Sequence, residues 1–460
     1  MQNSQRKILV DSITRLLRRD AERNLQRIIS RTHPADLAVV LSEMSHADAR
    51  RLFVLIQDPD KRAETLSESV PEVQRVILRN LEDEEITTIL DNLYADDAAA
   101  VLKEIPEERA DRILEGWKSE DSASIDSLLA YEEGSAGAIM SPDFFALTTQ
   151  TTVSEAIATL QASHEDLEMV FYLYVVNELG QIFGVSSLRQ LVVSAPHQTL
   201  ADICETDVIT AHTNDPQESV ARTVARYNIL AIPIVNDTNV LVGIVTVDDV
   251  IDVIREEATE DILKFAGADL DAFDDDITVL GSVRARMPWL LASFAAGTLS
   301  MLVIGRFQSA IESITALAAF IPLTLGMGGN VGTQSATIMV RGLTLGRVPT
   351  GQIASVITRE IAVGSVGGLF YGAALATLSW IFFHHEAEGA AWHIAQLAMT
   401  VSLAVFCCMT FAAAVGASVP IIFQKVGVDP AVATNPIVTT TTDVMGVLIY
   451  FLIASTFLPI

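Results

Sequence analysis

The sequence predicts a protein in two parts, a soluble multidomain half of α and α/β architecture and a C-terminal domain of five membrane-spanning helices. Three observations support this prediction: an uneven division of charge, long uncharged stretches, and two internal repeats of different period. Together they divide the chain near residue 280.

The acidic side chains are concentrated in the first 280 residues. The 460-residue chain has 58 Asp and Glu against 30 Lys and Arg, a formal net charge of -28. From residue 281 onward there are 7 basic and 6 acidic residues, so the first part carries -29. Such a surface repels nucleic acid and favours cations as partners. The three cysteines provide neither a disulfide framework nor a zinc-ligand spacing.

Residues 75 to 114 repeat an apolar pair every 12 positions. The pairs are Ile77-Leu78, Ile89-Leu90, Val101-Leu102 and Ile113-Leu114. Two earlier pairs extend the spacing backward with one break, Val40-Leu41 and Leu52-Phe53. The pattern predicts short helices stacked into an N-terminal superhelix over residues 1–135. Acidic turns such as YADDA could cap these helices or bind cations, and capping is the more common use.

A longer repeat occupies residues 139 to about 258. The segments TTVSEAIATL and YVVNELGQIFGVSSLRQL are echoed by DPQESVARTVA and PIVNDTNVLVGIVTVDDV. Each copy predicts an amphipathic helix, then two short strands joined by an Asn/Gly turn. The repeat resembles a tandem pair of CBS domains, at 136–200 and 201–258.

The CBS resemblance implies at most one site for ATP or another adenine nucleotide. In that family a Gly-φ-φ-Thr-x-x-Asp motif, in which φ is an apolar residue, often binds the ribose, and Gly243, Thr246 and Asp249 match it in the second copy. The first copy reads GVSSLRQ and has no acidic residue at the equivalent place.

An acidic connector helix and loop is predicted over residues 250–280. A helix here would have one acidic and one apolar stripe. The stripes consist of Asp249, Asp252, Glu256 and Glu260, and of Val250, Ile254, Ile262 and Phe265. The segment could be a simple solvated connector, but like charges four residues apart repel one another. Because it leads into the membrane domain through the acidic run DLDAFDDD, it is well placed to relay cation binding.

Five uncharged stretches predict five membrane spans within residues 281–460. They cover residues 287–305, 313–340, 361–385, 389–424 and 444–460, the last span starting near Ala431. A helix needs about 20 apolar residues to cross a bilayer. Gly364, Gly368 and Gly372 share one helix face, which predicts close packing between helices.

The distribution of basic residues predicts the orientation of the spans. The start MQNSQRKILV has no apolar signal core, so we expect a cytoplasmic N-terminus. Five crossings then put Arg284, Arg286, Arg341, Arg347 and Lys425 on the cytoplasmic side, as the positive-inside rule requires. The expected location is a cell inner membrane, with the C-terminus outside.

Two of the spans have unusual polar residues. Asn435, Thr439 and Asp443 lie four residues apart in the fifth span, and Asn330 and Gln334 do so in the second. An ionised Asp at mid-membrane costs about 2.5 to 3.5 kcal/mol, which implies a water-filled path or a cation partner. The alternative is a protonated or helix-paired Asp. Ligands that are all oxygen suit hard cations such as Mg²⁺.

The arrangement resembles the MgtE family of magnesium channels over almost the whole chain. The most specific matches are PLTLGMGGNVGTQSAT and VDPAVATNPIVTTTTDVMGVLIYF. The resemblance implies a homodimer in the lipid bilayer, with a path for hydrated Mg²⁺ at or near the subunit interface. It makes Asp443 the central ligand, assisted by Asn330, Asn435 and the Thr439 backbone. No nucleophile elbow, P-loop or HExxH motif supports an enzyme.

The resemblance also implies a cytosolic Mg²⁺ sensor that closes the pore. Its ligands correspond to Asp96, Asp97, the Gly137 carbonyl, Glu218, Asp249, Asp252, Glu257, Glu260, Asp261 and Asp429. Asn228 stands where an acidic residue is typical of the family. Two alternatives remain: a secondary transporter of Mg²⁺, Co²⁺, Ni²⁺ or Mn²⁺ coupled to an ion gradient, and a membrane protein that senses adenine nucleotide.

Overall fold

The computed structural model of the protein describes residues 3–117, 122–163, 167, 169–268, 279–344, 348, 352–385, 393–432 and 434–459. The fold divides into two units, Met1–Glu257 and Ala258–Ile460. The acidic run DLDAFDDD and Arg347 lie outside the described residues.

Short helices form the N-terminal part of the first unit. In the described residues they are α1 (Asn3–Arg18), α2 (Glu22–Ile29), α3 (Pro34–Ser42), α4 (His46–Val54), α5 (Pro59–Ser67), α6 (Pro71–Leu78), α7 (Asp83–Leu90), α8 (Ala95–Lys103), α9 (Glu107–Gly116) and α10 (Ser122–Leu129). The predicted period is confirmed, because helices α6 to α9 each begin 12 residues after the one before. The break is the step of 13 residues from the start of α4 to the start of α5.

The repeat sets the start of each helix and the face that it buries. Ser45 and Asp58 cap α4 and α5 by accepting hydrogen bonds from backbone N–H groups of the first turn. A proline at the first helical position begins α3, α5 and α6. The apolar pairs lie in the core, and alternate helices stack, α3 on α5, α4 on α6 and α5 on α7.

Two small sheets of identical topology follow the superhelix. The first contains β1 (Phe144–Thr148), β2 (Met169–Val176) and β3 (Ile182–Ser187), and the second contains β4 (Ala211–His212), β5 (Ala231–Val235) and β6 (Leu241–Thr246). In each sheet the first strand pairs parallel with the second, which pairs antiparallel with the third. The accompanying helices are α11 (Val153–Ser163), α12 (Leu188–Val193), α13 (Leu200–Ile203) and α14 (Gln217–Tyr227). The predicted CBS pair is confirmed.

The Asn/Gly turns of the two copies have matching hydrogen bonds. Asn177 Oδ1 and Asn236 Oδ1 each accept two hydrogen bonds from backbone N–H groups two and four residues further on. Gly180 and Asn239 adopt φ of +74° and +61°, which glycine and asparagine tolerate. The sequence repeat is therefore also a repeat of backbone geometry.

The connector helix α15 (Val247–Ala266) begins directly after β6. Val250 and Val253 are buried, whereas Ile254 and Ile262 are 46% and 70% exposed. The predicted apolar stripe is therefore wrong at Ile254 and Ile262, whereas Phe265 is half-buried. The buried positions recur after three residues and lie only in the first two turns.

Five helices in the described residues are long and apolar enough to cross a membrane, which confirms that prediction. They are α16 (Val279–Arg306), α18 (Ala316–Thr344), α19 (Ile353–Phe383), α20 (Ile394–Val426) and α21 (Thr434–Phe457), with the short helix α17 (Gln308–Ser313) after α16. Helix α19 starts eight residues before the predicted stretch, which began at residue 361, and so includes Glu360. A charged residue ended the uncharged window without ending the helix.

Helices α19 and α20 approach each other closely along the three glycines. A Cβ atom added at Gly364 would lie 2.6 Å from the Ala413 side chain, and one at Gly368 would lie 2.8 Å from the Phe406 backbone. An added Cβ at Gly372 would also crowd the α20 backbone, at 2.9 Å. The predicted packing role of these glycines is confirmed.

Candidate ion path and cation sensor

The Asp443 carboxyl group lies near the middle of α21. It is nine residues, or about 14 Å, from the start of the helix at Thr434, and its side chain is half-buried. Among the described residues no side chain forms an ion pair or hydrogen bond with this carboxyl group. The alternative of a helix-paired Asp443 therefore has no partner in this part of the chain.

Asn435 and Thr439 occupy the predicted polar side of α21. Asn435 Oδ1 accepts a hydrogen bond of 2.9 Å from Thr333 Oγ1 of α18 and one of 3.3 Å from Thr439 Oγ1. The Thr439 carbonyl oxygen accepts a hydrogen bond of 3.0 Å from Thr442 Oγ1. Hydroxyl and amide groups thus follow α21 from its first turn toward Asp443.

Asn330 and Gln334 lie on the side of α18 that the other described residues leave exposed. Thr337 and Arg341 are exposed too and continue the same side at a spacing of three to four residues. We call these four residues the polar face of α18. Polar side chains at membrane depth need water or protein beside them, because lipid offers no hydrogen bonds.

The two helices with polar residues pack against each other. A Cβ atom added at Gly332 of α18 would lie 3.0 Å from the Val438 side chain and 3.3 Å from the Thr442 side chain. The absence of a side chain at Gly332 therefore lets α21 approach α18. As a result, the predicted path residues lie on neighbouring helices.

In the first unit, the Asp97 carboxyl group is held in an acidic environment at the start of α8. Burial raises its pKa, a 2.7 Å hydrogen bond from Ser67 Oγ acts in the opposite direction, and nearby carboxylates raise the pKa further. These carboxylates belong to Asp248, Glu64 and Asp252. Residues of the superhelix and of the connector helix therefore meet here. Asp96 precedes Asp97 in the same first turn.

Asp249 caps the connector helix and belongs to the same environment. Its Oδ2 atom accepts hydrogen bonds from the Thr246 hydroxyl at 2.6 Å and from the Thr246 N–H at 3.3 Å. Burial, together with repulsion from Asp248 and Asp97, raises its pKa to about 6 despite these bonds. The Thr246–Asp249 pair, predicted as a nucleotide ligand, is engaged in a helix cap.

Three acidic residues of this region escaped the sequence analysis. Glu64 and Glu68 are four residues apart at α5, and Asp248 is four residues before Asp252 in α15. Burial raises the pKa of Glu68, as do Asp252 and Asp97. Acidic residues four apart share one helix face, and this spacing could have indicated them. We call the whole set the acidic cluster: Glu64, Glu68, Asp97, Asp248, Asp249 and Asp252.

Three further predicted ligands have protein partners in the first unit. Glu218 forms an ion pair of 3.3 Å with Arg222, and Glu257 accepts a hydrogen bond of 3.0 Å from Gln217. Asp252 forms an ion pair with Arg255 at 3.1 Å. The two ion pairs neutralise part of the negative charge of Glu218 and Asp252, whereas the Gln217 amide leaves the charge of Glu257 unchanged.

Two positions that the resemblance singled out have a backbone explanation. A Cβ atom at Gly137 would lie 2.5 Å from the Tyr131 ring, so the tight 3-10 turn needs glycine there. Asn228 ends α14 with φ of +54°, in the left-handed conformation that asparagine tolerates better than most residues.

Glu260 and Asp429 share a basic side chain in the second unit. Lys264 Nζ lies 2.5 Å from Glu260 Oε1 and 3.6 Å from Asp429 Oδ2. Asp429 Oδ1 also accepts a hydrogen bond from the Ala431 N–H at 2.8 Å. Asp261 is half-buried on the same helix. An ammonium group thus already lies between two of the predicted cation ligands.

Within the described ranges, no three His, Cys, Asp or Glu side chains converge closely enough to hold a metal ion. The carboxylates of the acidic cluster instead repel one another at longer range, and this repulsion adds to burial in raising the pKa values of Asp97, Glu68 and Asp249. A hydrated cation, bound through its water molecules, suits such a spacing better than a dehydrated one.

Comparison with known proteins places this arrangement in a family. The magnesium transporter MgtE of Bacillus subtilis is 34% identical over 450 residues, which is 98% of this chain and 97% of that protein. The chain belongs to the MgtE family. The magnesium transporter MgtE of Thermus thermophilus is also 34% identical, over 97% of this chain and 98% of that one.

Three family models match separate parts of the chain. A divalent cation transporter model covers residues 321–453, an MgtE intracellular N domain model covers 32–134, and a CBS domain model covers 200–256. A crystal structure of the cytosolic domain of the Mg²⁺ channel MgtE in complex with ATP is 34% identical. It covers 53% of this chain and 99% of that one, with a TM-score of 0.50. Since the MgtE relatives are named as transporters, the prediction that the chain is not an enzyme is confirmed.

We expect Asp249→Asn to stabilise the first unit of this MgtE protein when divalent cations are absent. The folded-state pKa of about 6 exceeds the ordinary value of 3.8, so ionised Asp249 costs up to about 3 kcal/mol. The stabilising contribution of protonated Asp249 should therefore be fully present below its ordinary pKa of 3.8 and be lost as pH rises through about 6. The amide oxygen of Asn can still accept from Thr246, which preserves the cap.

Thermal unfolding in EDTA at pH 5 and pH 7.5 measures this effect. The wild type should gain more stability than Asp249→Asn when the pH is lowered. Asp237→Asn, in an exposed turn, is the charge-matched control and should behave like the wild type. Identical unfolding temperatures of Asp249→Asn and the wild type at pH 7.5 would contradict the expectation.

Proposed function

We propose that this protein is a channel that conducts Mg²⁺ across a membrane into the cytoplasm. The observation that carries the proposal is the Asp443 carboxyl group, which lies at mid-helix with no neutralising side chain among the described residues. A membrane carboxylate of this kind needs water or a cation beside it. The family membership and the names of the relatives favour Mg²⁺ as that cation.

Recognition of the hydrated ion is the proposed basis of selectivity. Mg²⁺ gives up its water molecules reluctantly and prefers octahedral oxygen ligation. Asn435, Thr439 and Asp443 offer amide, hydroxyl and carboxylate groups, all of which can hydrogen-bond to bound water. The path therefore needs few direct ligands, in agreement with a single carboxyl group in the described part of α21.

A homodimer is the proposed assembly, with the polar face of α18 at or near the contact. In the single chain, Asn330 and Gln334 are exposed at membrane depth, where lipid cannot satisfy them. A second copy related by a two-fold axis would cover this face and bring a second Asp443 toward the path. Two carboxylates would then balance the charge of one divalent ion.

Closure by cytosolic Mg²⁺ is the proposed regulation. The acidic cluster joins the superhelix to the start of α15, and its mutual repulsion favours separation when no cation is present. Cations bound there would offset that repulsion and hold the connector helix in place. The substrate ion would then inhibit its own entry, a coupling between two sites. The spacing of Gly243, Thr246 and Asp249 makes adenine nucleotide a second proposed cytosolic ligand.

We expect purified protein in planar bilayers to show unitary Mg²⁺ currents that fall when Mg²⁺ is raised on the side of the acidic domains. Limited proteolysis should show slower cleavage of the first unit at millimolar Mg²⁺ than in EDTA, because cations bound at the acidic cluster would offset its mutual repulsion. Sodium chloride at equal ionic strength serves as the control for screening.

Two results would contradict this proposal. Uptake that requires a proton or sodium gradient, without unitary currents, would support the secondary transporter of Mg²⁺, Co²⁺, Ni²⁺ or Mn²⁺. Equal cleavage with and without Mg²⁺, together with currents that internal Mg²⁺ leaves unchanged, would exclude the gating role of the acidic cluster.

A further inference from the structure

Glu360 is an acidic side chain buried inside the membrane domain. It is 5% exposed and lies seven residues, or about 10 Å, from the start of α19. Its Oε2 atom accepts a hydrogen bond of 2.9 Å from Ser335 Oγ of α18, a residue that is 3% exposed. Burial of a carboxyl group at membrane depth is unfavourable, so its presence there indicates a role.

Close helix packing continues on both sides of this pair along the helices. On the side of the α18–α19 connection lies a buried cluster of Met339, Leu343, Ala417 and Ile421. One turn further into α19, Gly364 packs against Ala413 of α20. Within the described residues, the bond between Ser335 and Glu360 is the one side-chain hydrogen bond that joins α18 to α19.

Helix α18 is also held from a second side at the same level. Thr333 Oγ1 donates a hydrogen bond of 2.9 Å to Asn435 Oδ1 of α21. Thr333 and Ser335 flank Gln334, whose side chain belongs to the exposed polar face of α18. Two hydrogen bonds to two different helices therefore fix the turn that presents Gln334.

We propose that Glu360 is a positioning residue for the ion path, which acts through Ser335 to hold the turn of α18 that presents Gln334. The inference rests on the proposed Mg²⁺ conduction. Its chemical requirement is an oxygen atom at position 360 that accepts the Ser335 hydrogen bond. A negative charge at this position is not part of the requirement.

The test measures Mg²⁺ and Co²⁺ flux in proteoliposomes with equal amounts of full-length wild type, Glu360→Gln, Glu360→Leu and Ser335→Ala. We expect Glu360→Leu and Ser335→Ala to lower Mg²⁺ flux about tenfold, and the isosteric Glu360→Gln to stay within about twofold. The flux ratio of Mg²⁺ to Co²⁺ should change in Glu360→Leu and in Ser335→Ala, because loss of the hydrogen bond displaces Gln334. The double variant of Ser335→Ala and Glu360→Leu should conduct Mg²⁺ as fast as Glu360→Leu alone, since each change removes the same hydrogen bond.

Several outcomes would overturn the inference. They are wild-type flux in Glu360→Leu, a loss in Glu360→Gln as large as in Glu360→Leu, and lower flux with an unchanged ion ratio, which indicates fewer folded molecules. If Glu360→Leu does not fold, Ser335→Ala decides, and wild-type flux and ion ratio in that variant reject the proposal. Asp443→Asn is run in parallel: if it conducts normally, the proposed path has failed, independently of Glu360.

Discussion

Asp443→Ala is expected to abolish Mg²⁺ conduction while the protein remains folded and in the membrane. A divalent ion about 5 Å from a carboxylate gains on the order of 6 kcal/mol at an effective dielectric constant of 20. Loss of even half of this attraction lowers occupancy of the path more than a hundredfold. The fold should survive, because no described side chain relies on Asp443 for an ion pair or hydrogen bond.

Mg²⁺-dependent growth and Mg²⁺ uptake into proteoliposomes measure this loss. Asp443→Asn is the isosteric variant and should also be inactive, because the amide has no charge. Thr440→Ala is the matched control on the same helix, since the Thr440 hydroxyl bonds only to the Ile437 carbonyl of its own helix and to no other helix in the described part of the chain. Wild-type uptake by Asp443→Ala, at equal amounts of protein in the membrane, would refute its place in the path.

Gly416→Ala is expected to prevent normal assembly of the membrane domain. A Cβ atom at this position of α20 would overlap the carbonyl group of Gly332 on α18 and lie 3.2 Å from the Ala336 nitrogen. These neighbours are backbone atoms, so no side-chain rotation can relieve the overlap and the two helices must separate. We expect a loss of stability of about 3 kcal/mol, the upper end of the usual range for overpacking.

The yield of monodisperse protein in detergent and its thermal unfolding temperature measure the effect of Gly416→Ala. Gly297→Ala is the matched control, because a Cβ atom at Gly297 of α16 would meet no atom within 4 Å. The two variants differ only in the space available to one methyl group. Equal yields and unfolding temperatures would show that α18 and α20 are farther apart than described.

Most of the fold could be predicted from the sequence because its signals are local. The 12-residue period reappears as helix starts, and the uncharged stretches reappear as long apolar helices. The CBS repeat reappears as two sheets of one topology. In each case the pattern and the element that it predicts lie in the same short segment of chain.

The sites were harder to predict because they depend on which segments meet. Glu64 and Asp248 each have an acidic residue four positions further on, but the sequence does not show that the packing of α5 and α15 near Asp97 brings their charges together. The same holds for Glu360, which marked the edge of an uncharged window but is buried by its contact with α18. The predicted apolar stripe of α15 was wrong at Ile254 and Ile262 for the same reason, since periodicity predicts which face is apolar but not which element packs against it.

The glycine contacts between α19 and α20 restrict how the membrane domain can move. Backbone atoms of α20 lie close to Gly364, Gly368 and Gly372, so a movement that brings a larger residue of α19 to one of these contacts meets steric overlap. We therefore expect the pair to tilt or shift together. Any widening of the proposed path then requires movement between this helix pair and its neighbouring helices, where the contacts include side chains that can change rotamer.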